Sequence, residues 1–304
     1  MYNDRVTIIG AGFIGQHLAR VCLDAGLRVA VLDRHPCPNE FLGRVRWVAG
    51  DASEVNCLTA AVKGSSVVYH LVGGIRRGQL MQDTGAHTDV SLKLTAGIAA
   101  CCAALFVNRI VMTSSAAVYG VQSIAKIKES TTAPPISSYG IHKWMHEQAF
   151  VEACKLAEVD QCIVRLANPY GIALNSTKQD GLVPALMTSV KTGSPFFLFG
   201  DGTATRDFIA VEDVSRALLL CGTRPTVPKV LNIGSGQGFT VNQLVKLVDF
   251  LSGKRIEVQY LAKNPNEMDY SVLDVELAQD ILGFNAEINL EKGLGTLLAN
   301  NALS

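Results

Sequence analysis

Short β-branched runs alternate along the chain with longer stretches that are apolar at every third or fourth residue. Val6-Thr7-Ile8-Ile9 reads as a buried strand, and a glycine turn follows at once. A helical pattern then runs through Leu18, Val21, Cys22 and Ala25 and stops at Gly26. Val29-Ala30-Val31-Leu32 is the next strand and ends in Asp33. The alternation predicts a third strand at Arg46–Ala49, a helix over Glu54–Val62 and a fourth strand at Ser66–Val72, closed by Gly73-Gly74. A helix over Asp89–Val107 is apolar nearly all round, so it needs cover on both sides: the sheet on one, a second subunit on the other. Arg109–Thr113 is the fifth strand. Pro134-Pro135 breaks the chain before a helix that starts near Tyr139, and Gln161–Leu166 is the sixth strand. Strands that alternate with helices in this way imply an α/β fold with a doubly wound parallel sheet.

Beyond Asn168-Pro169-Tyr170-Gly171 the alternation loosens. A helix is expected over Gly181–Lys191, short strands at Phe196–Phe199 and Val230–Ile233, and helices over Thr240–Leu251, Val275–Leu282 and Leu290–Asn300. The expected organisation is a cofactor-binding domain over residues 1–168, a smaller C-terminal α+β lobe over 169–304 covering its crevice, and a return of the chain to the first domain within 207–235.

Composition narrows the class. The 304 residues can bury a large core, and Lys plus Arg (27) equals Asp plus Glu (27). Nothing in that balance calls for nucleic acid or an anionic membrane. No apolar run reaches the ~18 residues of a membrane span. The start of the chain enters a strand with no signal-peptide pattern, and the eight cysteines show neither metal spacing nor a disulfide framework. A cytoplasmic protein with reduced thiols is expected.

Candidate chemistry starts at Gly10-Ala11-Gly12-Phe13-Ile14-Gly15. Glycines between a strand and a helix allow a tight turn and close approach to a pyrophosphate, which the helix N-terminus attracts. Asp33, at the end of the next strand, stands where a carboxylate accepts from adenosine ribose hydroxyls. It favours NAD, while Arg34 beside it leaves NADP open. Together these features make the first domain Rossmann-type. Asp51 is placed either to meet the adenine amino group or to cap the following helix. Arg76 and Arg77 read as a solvated loop or as contacts to a substrate anion. Ser114 and Ser115 end a strand where hydroxyls face the ligand crevice, or serve as turn and cap residues.

Tyr139 and Lys143 are four apart at a helix start and so share a face. Such a pair is either a solvated helix face or a catalytic one. A phenol with a pKa of roughly 10 becomes a usable base beside a cation. His142 and His146 with Glu147 do not form a metal motif, and no metal is expected. Arg206, by its neighbours alone, reads as a structural pair with Asp207 or Asp201.

With these elements in place the chain resembles the extended short-chain dehydrogenase/reductases of the NAD-dependent epimerase/dehydratase family, nucleotide-sugar 4-epimerases in particular. The likeness rests on Gly12-Phe13-Ile14-Gly15, Gly50-Asp51, Ser114-Ser115-Ala116-Ala117-Val118-Tyr119-Gly120 and Tyr139…Lys143. It continues through Arg165-Leu166-Ala167-Asn168-Pro169-Tyr170-Gly171, Gly200-Asp201-Gly202, Arg206-Asp207-Phe208-Ile209 and Asn232-Ile233-Gly234. It implies NAD held by Gly10, Gly12, Phe13, Ile14 and Gly15 of the first turn. Asp33, Arg34, Asp51 and Ala52 would meet it after the second and third strands, and Leu71, Val72 and Gly73 after the fourth. Tyr139 and Lys143 complete the set. Ser115 and Tyr139 would hydrogen-bond the reacting sugar hydroxyl, with Lys143 on the nicotinamide ribose, and Asn168 and Arg206 would hold the nucleotide diphosphate. A homodimer through the Asp89–Val107 and Tyr139 helices is implied.

The chain departs from the family pattern at four places. Ile9 stands where a first glycine is common, Ser91 where an asparagine is frequent, and Asn264 where an arginine usually clamps the diphosphate. Ala116 and Ala117 replace the acidic pair with which dehydratases eliminate water. The expected activity is therefore epimerisation of a nucleotide sugar, a UDP-sugar at C4, through a transient ketone. The alternatives are an NAD(P)-dependent sugar dehydrogenase or reductase, and a non-catalytic NAD-binding protein.

Overall fold

Successive residues of the first strand enter opposite cores, Ile8 on one face of a sheet and Ile9 on the other. That is why the strands read as continuous apolar runs: a parallel sheet is covered on both faces. The computed structural model describes residues 4–73, 84–122, 126–174 and 181–302. Gly74, Arg76 and Arg77 lie outside them.

The first half contains β1 (Arg5–Ile9), α1 (Phe13–Asp24), β2 (Arg28–Asp33), β3 (Arg46–Ala49), α2 (Val55–Val62), β4 (Val67–His70), α3 (Thr84–Ala104), β5 (Arg109–Ser115), α4 (Ser138–Leu156) and β6 (Asp160–Leu166). These strands, with β10 (Val230–Ile233), form one parallel sheet in the order β10-β6-β5-β4-β1-β2-β3. The order reverses between β1 and β4, so the carboxyl ends of those two strands open onto the crevice in which such sheets bind ligands. Helices α2, α3 and α4 cover one face. Helix α6 (Val211–Thr223) lies beside α1 on the other.

The smaller part is built from β7 (Asn168–Tyr170), α5 (Leu182–Thr192), β8 (Phe196–Phe199), β9 (Thr205–Ala210), β11 (Gly238–Thr240), α7 (Val241–Ser252), β12 (Val258–Leu261), β13 (Tyr270–Ser271) and α9 (Leu290–Ala302). Strand β9 is flanked by β11 and β13 and also pairs with β7, while β8 pairs with β12. A separate buried cluster around Leu186, Phe208, Leu244 and Leu294 holds these pieces together. The chain re-enters the first core with α6 and β10, and again at Leu273, at α8 (Glu276–Leu282) and at Phe284. The 169–304 stretch is thus shared between two cores.

Several boundaries differ from the sequence expectation. The helix expected over Asp89–Val107 runs from Thr84 to Ala104. Phe106 adopts a φ of 56°, and the Phe106 and Val107 amides return to the Ala103 and Cys102 carbonyls. This left-handed stop satisfies the last carbonyls without the glycine that usually marks it. Helix α4 ends the same way at Glu158, φ 54°. Strand β4 ends at His70 rather than Val72, and β5 continues through Ser115. No helix among the described residues is long and apolar enough to cross a membrane.

Candidate active site

The turn from β1 into α1 uses its three glycines for three different reasons. Gly10 has a φ of 99°, and a Cβ there would stand 2.7 Å from Val72 Cγ1. Gly15 lets α1 lie against the turn, because a Cβ there would stand 2.0 Å from the Gly10 carbonyl oxygen. Gly12 has an ordinary φ of −73° and caps α1, and no atom lies within 4 Å of the place its Cβ would take. The protein itself does not require glycine there. The open space lies at a helix N-terminus, where unpaired N–H groups attract a pyrophosphate, so the residues present fit a dinucleotide.

Asp33 closes one side of this turn. Its Oδ2 accepts from Ala11 N at 2.7 Å, and its Oδ1 accepts from His35 N at 2.8 Å and lies 2.8 Å from His35 Nδ1. Arg34 follows it directly. Asp51 accepts from Ser53 N and Ser53 Oγ, both at 2.8 Å, and these bonds hold its carboxyl below the usual range. Glu54, not Asp51, stands at the N-cap position of α2 and makes no side-chain cap there, so the capping alternative for Asp51 is corrected: its carboxylate organises its own turn instead. Ala52 is buried behind it, and Phe13 and Ile14 are half-buried in the first turn of α1. Leu71, Val72 and Gly73 follow β4 at the switch point, and Gly73 turns with a φ of 85°.

Ser115 ends β5, and its Oγ accepts from Ala117 N at 3.2 Å, capping the turn Ala116–Tyr119. Capping and facing the crevice are compatible, since a hydroxyl oxygen that accepts still has a proton to donate. Helix α4 settles onto this turn through Gly140, where a Cβ would meet the Ala117 carbonyl oxygen at 2.3 Å. Ser137 caps the helix, accepting from Gly140 N at 3.0 Å. Tyr139 is therefore partly exposed beside the Ser115 turn. Lys143 lies one helical turn further in, buried, with Nζ donating to Thr113 O at 3.4 Å.

The structure gives a role to Glu147, weighed from sequence only beside a metal motif, and to Arg165, Tyr119 and Asn232, quoted only for the family likeness. Glu147 is wholly buried on α4 and takes a forked contact from Arg165 of β6, at 3.0 Å from Nε and 2.6 Å from NH2. Arg165 also lies over the Tyr119 ring at 4.7 Å. Tyr119 OH donates to Asn232 Oδ1 at 2.6 Å. This buried network fixes α4 to the sheet. Glu147 is four residues after Lys143, and that spacing was a signal in the sequence.

In the smaller part, Asn168 of β7 donates to Asp207 O at 2.8 Å. Arg206 of β9 is buried; its NH1 donates to Thr205 O at 3.0 Å and its NH2 to Glu267 Oε1 at 3.1 Å. The carboxylate beside it is thus Glu267, and neither Asp207 nor Asp201 is the pair expected from sequence. Asp207 is fully buried and accepts from Ser235 N, Ser235 Oγ and Gly236 N, while Asp201 accepts from Thr203 N and Oγ1. Asn264 accepts from Asn266 N at 3.0 Å inside its own turn.

The sequence pattern of the NAD dependent epimerase/dehydratase family matches residues 6–234. A UDP-glucose 4-epimerase of Corynebacterium glutamicum is 28% identical over 296 residues, which cover 91% of this chain and 89% of that protein. The structure of MoeE5 in complex with UDP-glucose and NAD is 30% identical and superimposes with a TM-score of 0.87, covering 99% of this chain and 100% of that one. A UDP-glucose 4-epimerase from Thermotoga maritima, solved with UDP-glucose, is 25% identical with a TM-score of 0.89, again covering 99% and 100%.

Proposed function

The chain belongs to the NAD dependent epimerase/dehydratase family, and from that premise we propose that it is an NAD-dependent epimerase of a nucleotide sugar, acting at C4 of a UDP-sugar. The observation that carries the reading is the seating of Tyr139 and Lys143. Both lie on one face of α4, which Gly140 brings onto the Ser115 turn at the carboxyl end of β5, the strand next to β4. NAD, when bound, supplies a hydride acceptor and then a hydride donor.

Gly10, Gly12, Phe13, Ile14 and Gly15 hold the pyrophosphate part of NAD. Asp33 takes the adenosine ribose, which favours NAD over its phosphorylated form. Arg34, Asp51 and Ala52 border the adenine, and Leu71, Val72 and Gly73 line the cofactor at the end of β4. Lys143 donates to the nicotinamide ribose from the same helix face as Tyr139. Tyr139 then takes the proton of the sugar hydroxyl, and Ser115 holds that oxygen. Return of the proton from Tyr139 after the ketone has turned over completes the inversion. Ala116 and Ala117 carry no acid that could expel water, so the ketone is not diverted to elimination. Asn168 and Arg206 border the diphosphate, with Glu267 tuning the guanidinium.

Ile141, Trp144 and Met145 are exposed on α4, and we place them in a homodimer interface. All eight cysteines are free, in keeping with a cytoplasmic setting. The test is to purify the protein, release any NAD by denaturation, and follow UDP-glucose and UDP-glucuronate by proton NMR without added cofactor. The C4 epimer should appear. Sugar oxidation that consumes added NAD mole for mole would replace the epimerase by a dehydrogenase.

A further inference from the structure

Behind Lys143 lies a polar cluster that none of the roles above uses. His146 follows Lys143 by three residues on the same face of α4 and is buried. Its Nε2 is 2.6 Å from Thr95 Oγ1 of α3, and the same oxygen is 3.0 Å from Nε2 of His70, the last residue of β4. Thr95 Oγ1 also donates to Ser91 O at 2.9 Å. A hydroxyl has one proton; with that proton on Ser91 O, both imidazoles are assigned as Nε2–H donors to Thr95. On the other side, a Cβ on Gly73 would stand 3.1 Å from His146 Cε1, so the ring props the Gly73 turn.

We propose that His146 is a positioning residue for the epimerase site. Through Thr95 and His70 it ties the Lys143 turn of α4 to the carboxyl end of β4, and it holds the Gly73 turn against the cofactor.

The argument runs through geometry that no single helix provides. Lys143 belongs to α4 and Gly73 to the segment after β4, and their relative placement decides whether ribose and nicotinamide meet Tyr139 correctly. The elements that carry them touch at His146, with Thr95 of α3 as the shared acceptor. A hydrophobic side chain would fill the same volume but leave Thr95 Oγ1 with fewer donors and the α3–α4 spacing without a fixed hydrogen bond. The choice of imidazole also suits a buried ammonium. Burial first, then neighbouring His70 and the Lys143 charge, push His146 down to about 2, so it stays neutral. Burial and Lys143 likewise push His70 down to about 3. Lys143 thus keeps polar neighbours that add no competing positive charge. The Nδ1 atoms of both rings are buried without a hydrogen-bond partner among the described residues, which leaves two acceptor lone pairs in this pocket.

The inference rests on the roles proposed for Lys143 and NAD, so the experiment reads NAD affinity separately from sugar turnover. His146→Leu removes the donor, Thr95→Val removes the shared acceptor at constant shape, and His146→Gln keeps an N–H for Thr95. The leucine and valine variants should lose roughly 10- to 100-fold in kcat with UDP-glucose, the scale of a small misplacement of reacting groups. Both should also bind NAD more weakly, with KM for UDP-glucose little changed, and the glutamine variant should recover most of the loss. A purely structural role would lower Tm in these variants and leave kcat and NAD affinity alone; that result overturns the proposal, as does a glutamine variant no better than leucine. If His146→Leu does not fold, the isosteric Thr95→Val decides. If the wild type does not turn over UDP-glucose, the NAD titration still decides on His146, while the epimerase reading fails by itself.

Discussion

Gly12→Ala separates what the glycine turn does for the fold from what it does for the cofactor. In the protein no atom lies within 4 Å of the position its Cβ would take, and the backbone φ of −73° suits any residue. Alanine is a poorer helix cap than glycine, but it also removes freedom from the unfolded chain. Those effects oppose each other, and the net change in stability should stay within about 1 kcal/mol. The methyl group would, however, occupy the space over the N-terminus of α1. Loss of one or more hydrogen bonds to a charged pyrophosphate costs about 1.5–3 kcal/mol, or roughly 10- to 150-fold in Kd. Gly15→Ala is the control. Its Cβ would stand 2.0 Å from the Gly10 carbonyl oxygen, and Gly10 cannot move freely because its amide is bonded to Leu32 O at 2.9 Å. Overpacking of this kind costs about 1–3 kcal/mol or more before any ligand is added. Thermal melts without NAD, with calorimetric titration of NAD into each variant, make the measurement. A Gly12→Ala protein that melts like wild type and binds NAD equally well would refute the reasoning, since the open space would then not be a pyrophosphate site.

Tyr139→Phe should retain NAD affinity and lose at least ~100-fold in turnover, as measured by coupled assay or NMR, because the phenol is the proposed acid–base group. Arg206→Lys should weaken UDP binding by about 1–3 kcal/mol in calorimetry, since an ammonium cannot reproduce a two-pronged contact while shared with Glu267. The buried histidines predict an acid-labile fold. His70 and His146 are held at about 3 and about 2, below the ordinary value near 6.5, so below that pH the unfolded chain binds protons that the folded chain does not. Unfolding free energy should therefore fall with decreasing pH by about 1.4 kcal/mol per pH unit for each histidine. Urea melts between about pH 6 and about pH 4 should show a shallower slope for His146→Leu than for wild type.

Much of the candidate site's local geometry was legible in the sequence because its motifs are local. A strand, three glycines and a helix fix their own geometry within a few residues, and Tyr139 and Lys143 share a face because a helix repeats every ~3.6 residues. The six strands of the first domain and the doubly wound parallel class of their sheet followed from apolar runs alternating with helices; their order in the sheet did not. Other features were not legible. The stops at Phe106 and Glu158 use a left-handed residue without glycine, so nothing in the local composition announces them. Arg206 has several acidic neighbours in sequence, yet its carboxylate is Glu267, 61 residues away. Thr95, His70 and His146 come from α3, β4 and α4 and meet only when those elements pack. Segment 273–284 carries ordinary apolar residues, and only packing assigns it to the core of the first sheet rather than to the lobe around it. The physical reason is common to all of these. Short-range sterics and hydrogen bonds act on neighbours in the chain and leave a pattern there, whereas apolar faces and charges are nearly interchangeable until the whole core selects which of them meet.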